Sequence, residues 1–493
     1  MNLGTVISFI ETPSTGRFHF TIDKNATVRK GQFVQLEIED GKIIGRVSDI
    51  IKTNRYFMRP EAVNEYQNSG GIEEIFPTTE WEYLIAEVNI LGVFDGNGFK
   101  NSLFPPSPGT DVNEPEIEII KKFFGLEENG IHMGEMPHHK LDAKFSLNKL
   151  FKKHLAILAI SGAGKSYLTG ILLEELLTKE KRNSPGVVII DTHGEYTNLA
   201  ESKDFATRVK VFSSEEMRIG FQNIRTYDIA SIQSIKSGTQ IRELDKILHS
   251  LKSNYSISDA ISKIDESDIA TKTKDVLLSH LISLQRTGIF GLSDYPKSEE
   301  LVKQGQVSII DMSDCISMKK KQILTRYFSG KIFHQRRAGT LPPFVLILEE
   351  AHQYIPQMAT KENALCRSIL QTIAREGRKF NASLCLISQR PVNLSTTVLS
   401  QCNTKIILRV SNPYDIEYIR NSSEALTKDA IDQISTLPVG YGIVIGEAVN
   451  APLLVKIRKK KINVLERDDS MEKVCNEFYD RAEKNKKDSK AFV

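Results

Sequence analysis

At 493 residues the chain is too long for one compact core, and roughly 100–200 residues per domain implies several domains. Its 65 Lys and Arg stand against 62 Asp and Glu, so the net charge of +3 excludes a globally basic nucleic-acid-binding surface and confines any polyanion contact to local features. Five scattered cysteines without a CxxC pair exclude a disulfide framework and a cysteine zinc site, and no apolar run reaches the roughly 18 residues of a membrane span; a soluble cytoplasmic protein with reduced thiols and no membrane contact is expected.

Residues 1–95 hold short apolar or alternating runs at 6–10, 17–22, 33–38, 43–51 and 83–91, separated by turn-rich stretches. That spacing predicts a small N-terminal β-barrel or sandwich. Residues 96–145 read as a connector, in which Pro105, Pro106, Pro108, Gly109 and Pro115 crowd a stretch expected to continue neither helix nor sheet. From 146 to 465, β-rich runs at 154–158, 187–190, 209–212, 307–310, 344–348, 384–387 and 406–410 are mostly separated by helical patterns. Such alternation predicts a three-layer α/β nucleotide-binding core on a parallel sheet. Residues 225–300 are more polar, with helical spacing at 241–251 and 276–284, and read as a helical insertion in that core. Beyond Lys459-Lys460-Lys461 the chain is strongly charged. Met471, Val474 and Phe478 share one helical face of a C-terminal tail (466–493) that either docks on its own or a neighbouring subunit or frays in solvent.

Within the core, residues 159–166 (Ala-Ile-Ser-Gly-Ala-Gly-Lys-Ser) match a phosphate-binding loop, with alanine in place of its first glycine. A strand precedes the loop, and Leu168, Ile171, Leu172 and Leu176 mark one face of the helix that follows. In that setting the backbone N–H groups of Ser161, Gly162, Ala163, Gly164, Lys165, Ser166 and Tyr167 would surround the phosphates of ATP or GTP, with Lys165 neutralising them and the Ser166 hydroxyl ligating Mg2+. Ala159 is expected to be harmless if its φ stays negative. The run 344–348 ends in Glu349-Glu350, where Glu349 would hold Mg2+ through water and Glu350 would activate the attacking water. Gln389 closes the run 384–388 and suits a sensor of the γ-phosphate or an ordinary strand cap. Arg375 and Arg378 end a helix with clustered positive charge, which suits either the helix C-terminus or an arginine finger serving a neighbouring subunit. Asp191 closes another strand and either joins the metal and water network or caps the turn 192–196. His193 and His352 lack partners at metal-ligand spacing and are expected to make structural hydrogen bonds.

These motifs together resemble the HerA family of hexameric DNA translocases, relatives of the FtsK-like motors among RecA-type ATPases. The likeness runs through Gly4-Thr5-Val6-Ile7, Gly31-Gln32-Phe33-Val34, Pro106-Ser107-Pro108-Gly109, the loop at 154–166, Asp191-Thr192-His193-Gly194-Glu195-Tyr196, Glu349-Glu350-Ala351-His352, Glu376-Gly377-Arg378-Lys379, Ser388-Gln389-Arg390-Pro391, Gln401-Cys402-Asn403-Thr404 with Ile406-Ile407-Leu408-Arg409, and Leu437-Pro438-Val439-Gly440. Glu349-Glu350-Ala351-His352 is the discriminating piece. The resemblance implies a RecA-like P-loop core behind an N-terminal barrel, ATP and Mg2+ as cofactors, and a homo-hexameric ring around double-stranded DNA. It also implies sites shared between subunits and a NurA-like nuclease or another effector as partner, in DNA end processing or phage defence. A secretion or conjugation ATPase with the same core, and a nucleotide-binding scaffold ring, are the alternatives. Lys361 and Arg390 are candidates for DNA contact.

Overall fold

The computed structural model describes residues 1–480 apart from 9–10, 55–56, 58–60, 62, 64–81, 252, 359–363, 424–425, 462–469 and 474. Lys361, Val474 and residues 481–493 therefore lie outside the described residues. At the N-terminus the strands are β1 (Asn2–Ile7), β2 (Arg17–Ile22), β3 (Phe33–Ile38), β4 (Gly41–Asn54), β5 (Glu82–Phe94), β6 (Phe99–Lys100) and β7 (Asp111–Asn113). They pair in the order β2-β1-β7-β3-β4-β5, and β5 returns to β2, so the sheet closes on itself as a barrel. Closure leaves no free edge in that ring. Leu3, Val6, Phe18, Phe20, Val34, Leu36 and Val88 fill its interior.

One strand of this barrel arises where none was expected. Between Pro108 and Pro115, Asp111-Val112-Asn113 carries no proline, so its amides remain free to pair with β1 and to reach Asn113 opposite Gln35 of β3. Further into the expected connector, a helix Ile117–Phe124 is followed by β8 (Ile131–Glu135) and β9 (Asp142–Phe145). These two strands join the core sheet rather than linking it to the barrel.

The core continues with β10 (Leu155–Leu158), β11 (Gly186–Asp191), β12 (Val209–Ser213), the short β13 (Ile219–Gly220) and β14 (Phe290–Gly291), then β15 (Val307–Asp311), β16 (Phe344–Leu348), β17 (Ala382–Ser388), β18 (Thr404–Ile407), β19 (Tyr441–Gly446) and β20 (Leu453–Ile457). The large sheet has the order β12-β15-β11-β16-β17-β10-β18-β19-β20-β8-β9. From β12 to β18 every pairing is parallel; beyond β18 the pairings are antiparallel. The parallel part consists of the β-rich runs legible in the sequence, because strands buried on both faces are continuously apolar. The antiparallel extension was not, since β8 and β9 mix Gly, Asp, Lys and His with few apolar residues.

Alternation along the strands sorts the core into two layers. Val188, Ile190, Leu346, Leu348, Leu384 and Leu386 face the side covered by the insertion, whose Leu244, Ile264, Leu277 and Leu281 belong to the same apolar cluster. The insertion comprises helices Thr226–Ile232, Gly238–Ser250, Ile257–Asp265 and Thr271–Gln285, and so continues the core instead of forming a detached body. Val187, Ile189, Val345, Ile347 and Ile387 face the other side, against Leu168, Leu172 and Leu176 of the helix Lys165–Thr178. Phe33 of the barrel reaches into that second cluster, and its amide donates to Nε2 of His139 at 3.0 Å. A cavity of about 460 Å³ lies at this junction, between Lys30, Arg46 and Phe33 on the barrel side and Met136, His138 and Leu437 on the core side. At the other end of the chain, Met471 and Phe478 are 81% and 75% exposed. Among the described residues no helix is long and apolar enough to cross a membrane.

Candidate nucleotide and catalytic site

In the order β11-β16-β17-β10, four parallel strands deliver their C-terminal ends to one edge of the sheet. That edge is where ligands of open α/β sheets bind. The phosphate loop leaves β10 with its flank tied to the neighbouring strands: the Ala159 amide donates to the Ser388 carbonyl at 3.2 Å, and the Ile160 amide to that of Arg409 at 3.0 Å. Gly162 and Gly164 have φ of 73° and 96°, a region in which a side chain is strained. An added Cβ at either would meet nothing within 4 Å, so the backbone conformation and not crowding requires glycine there. Ala159 is fully buried and has no positive φ, so the irregular letter of the motif costs the loop nothing. Lys165 begins the helix, with Ser166 and Tyr167 half-buried behind it.

Glu349 and Glu350 follow β16, one strand removed from the loop. Oε2 of Glu349 accepts from the amides of Thr192 at 2.8 Å and His193 at 3.3 Å. Beside it, Asp191 accepts from the amides of His193, Gly194, Glu195 and Tyr196 at 2.8–3.3 Å, thereby capping the turn 192–196. Burial, then the neighbouring charges of Asp191 and Glu195, push Glu349 up to about 9. Asp191 is also raised, burial outweighing its amide bonds. A divalent cation favours ionised carboxylates and would oppose both shifts. Among the described residues no group of three or more His, Cys, Asp or Glu could hold a metal ion, so any Mg2+ here would depend on Ser166, phosphate oxygens and water, with Glu349 behind them.

Glu350 differs from its neighbour. Its φ of 48° places it in the left-handed region, which is rare for a residue of this type and concentrates at functional sites. It is buried, yet its Oε2 has no hydrogen-bond partner; Nδ1 of His352 lies 3.3 Å away and instead meets Oγ of Ser388 at 3.1 Å. Burial pushes His352 down to about 4, with the charges of Arg390 and Lys165 adding to the effect, so the imidazole is neutral at pH 7. Burial raises Glu350, opposed by the charge of Lys165, by His193 and by the backbone amide of Gln389. The result is a carboxylate with a free acceptor lone pair, in the field of Lys165, at the sheet edge. That is what a base for an attacking water requires. Gln389 directly follows β17, which lies between the strand of the loop and the strand of the glutamates.

Arg375 and Arg378 are exposed on the helix Arg367–Phe380, which runs directly into β17. They therefore lie at the N-terminal edge of the sheet, separated from their own phosphate loop by a seven-residue strand, roughly 20 Å. The helix end is fixed by His154, at the foot of β10. Its Nε2 contacts the Ala374 carbonyl at 2.9 Å and its Nδ1 accepts from the Leu384 amide at 2.9 Å. Burial pushes that imidazole down to about 4, so Nδ1 is the acceptor and Nε2 the donor at pH 7. Arg390 is exposed beside the Glu350 edge, and the backbone N–H of His193 bonds to Asp191. Two contributors escaped sequence reading. Nζ of buried Lys321 donates to the Thr192 carbonyl at 3.3 Å, and residues 458–461 run along the phosphate-loop helix. The lysine run at 459–461 was their one visible signal.

A sequence profile described as helicase HerA, central domain, matches residues 131–332. The chain is 28% identical to a DNA double-strand break repair helicase HerA of Pyrococcus furiosus, over 89% of each protein. To a probable helicase of Methanocaldococcus jannaschii it is also 28% identical, over 87% of this chain and 86% of that one. Among solved structures, VirB4 of Thermoanaerobacter pseudethanolicus superposes with a TM-score of 0.54 at 14% identity, over 68% of this chain and 98% of that one, a likeness of fold alone. A phosphate loop, a buried glutamate pair and a sheet-end glutamine on one edge make the chain a P-loop ATPase, similar over most of its length to these HerA-type helicases.

Proposed function

We propose that this chain is an ATP-driven double-stranded DNA translocase that works as a ring, hexameric in the family's manner, with a NurA-like nuclease or another effector in DNA end processing or phage defence. The observation that carries the reading is the arrangement of one edge: Lys165 and Ser166 for the phosphates and Mg2+, Glu349 behind the metal, Glu350 with an unpartnered buried oxygen for water, and Gln389 between them. The opposite edge presents Arg375 and Arg378 exposed, a placement that supports their serving a neighbouring subunit's nucleotide. Relatives named as break-repair helicases support DNA as the track.

The VirB4 likeness supports the shared core and leaves a conjugation or secretion ATPase as the second reading. Duplex DNA separates the two. On the first reading, adding duplex to the purified protein stimulates ATP hydrolysis severalfold in a salt-dependent, sequence-independent way, and Lys165→Ala abolishes turnover with and without DNA. Turnover indifferent to duplex DNA would count against translocation. Wild-type turnover no faster than that of Glu350→Gln would favour a scaffold ring.

A further inference from the structure

The last strand of the core, β20, leads into residues 458–461, and these lie along the phosphate-loop helix. Two adjacent carboxylates of that helix, Glu174 and Glu175, are 1% and 7% exposed, an unusual place for unpaired charge. Neither is unpaired. Arg458 meets Glu174 at 3.1 Å and Glu175 at 2.9 Å, Nζ of Lys461 meets Glu175 at 2.8 Å, and the Lys461 amide donates to Glu174 at 3.1 Å. The strap is thereby clamped on both sides of Lys460.

Lys460 is held differently. Its amide donates to Oη of Tyr167 at 2.8 Å, and its Nζ lies 4.8 Å from the centre of the Tyr167 ring. Its stem crosses the helix at Gly170, where a Cβ would come within 2.8 Å of Cε. Arg458 and Lys461 are neutralised by the buried glutamates, whereas Lys460 has no carboxylate partner among the described residues. A fixed, half-buried cation thus lies along the first turns of the phosphate-loop helix, between Gly170 and the ring of Tyr167, the residue that directly follows Ser166.

Sheet order states which part of a nucleotide it would meet. Glu350 and Gln389 lie on the β17 and β16 side of the loop, so the γ-phosphate must point that way. The strap comes from the other side, beyond β18, β19 and β20. We propose that Lys460, carried by this strap and oriented by Tyr167, is a second cation of the nucleotide site and binds the α-phosphate end of the nucleoside diphosphate or triphosphate. The assignment rests on the ATPase reading and adds a residue to it. Hydrolysis breaks the bond between the β- and γ-phosphates, so a contact at the α-phosphate acts on binding and not on the chemical step.

The test is titration of full-length protein with Mg-ADP and with Mg-ATP, alongside steady-state turnover. Wild type must bind both, and Lys165→Ala must lose them; failure there removes the ATPase reading itself. With that satisfied, Lys460→Ala is expected to weaken ADP and ATP alike by about five- to tenfold and to raise KM while kcat changes less than twofold. Lys460→Arg, which keeps the charge, restores most of the affinity. Unchanged ADP affinity in Lys460→Ala overturns the proposal. So does a loss that Lys460→Arg fails to restore, or a fall in kcat at constant KM, either of which would mark a merely structural strap.

Discussion

The separation of Arg378 from its own phosphate loop makes a quantitative prediction for mixed rings. An arginine finger contributes on the order of 10³-fold or more to turnover, so Arg378→Ala and Lys165→Ala proteins should each be nearly inactive alone. Because roughly 20 Å of β17 lies between the arginine and its own loop, far beyond the reach of one side chain, an arginine finger from this helix would have to serve a neighbouring subunit's site. In rings assembled at random from equal amounts of the two variants, a site is intact when a subunit with Lys165 adjoins a neighbour with Arg378. Each condition holds with a chance of about one half, so about a quarter of sites should work. Co-expressing the two variants with different tags, purifying on both and measuring phosphate release with duplex DNA should return about a quarter of wild-type activity at equal stoichiometry, falling as either variant comes to dominate. Arg375→Ala run in the same way decides between the two arginines. Absence of recovery at every ratio for both would refute the shared site.

Glu350→Gln should keep ATP binding, because the phosphates are held by Lys165 and the loop amides, while turnover falls by about 10²–10⁴-fold, which single-turnover hydrolysis can measure. For Glu349 the raised pKa means that the ligand-free fold favours the protonated form, so its contribution to stability is complete below pH 4.5 and is lost as pH rises toward about 9. Glu349→Gln should therefore raise the melting temperature of nucleotide-free protein at pH 8.5 more than at pH 5; equal shifts at both would contradict the buried pair. His154→Leu leaves the Leu384 amide and the Ala374 carbonyl unpaired in the core, at about 1–3 kcal/mol for each, and denaturant titration should show a loss of about 2–6 kcal/mol. With its folded pKa lowered to about 4, His154 also stabilises the protein above pH 6.5, an effect lost as pH falls toward 4 and absent from the variant.

What was legible in the sequence is what local chemistry dictates. Strands β10, β11, β15, β16, β17 and β18 announce themselves because both faces are buried, and the loop glycines because φ of 73° and 96° admits little else. The carboxylates were visible because each ends such a strand. Long-range pairing was not. No local signal tells that β8 and β9, about 300 residues before β20, complete its sheet, or that Asp111–Asn113 closes the barrel between prolines. For the same reason Lys459-Lys460-Lys461 showed only as the start of a strongly charged stretch, when two of the residues beside it in space are the buried glutamates of a helix nearly 290 residues earlier. A charge run and a charge clamp differ only in what lies opposite.

Those long-range contacts also decide how the two edges of the sheet can communicate. β10 carries the phosphate loop at its C-terminal end and begins just after His154, whose ring is bonded to the arginine-bearing helix and to β17. Gly377, one turn from that bond, packs so tightly that a Cβ would approach the Ala382 carbonyl to 2.2 Å, leaving the helix no room to slide relative to the strand. The loop, the strand preceding Gln389 and the helix bearing Arg375 and Arg378 are therefore tied to one another. A displacement of the loop on nucleotide binding would be carried along these contacts to the helix bearing the arginines. The coupling unit is the strand pair β10 and β17, and His154 is the bond that joins it to the helix.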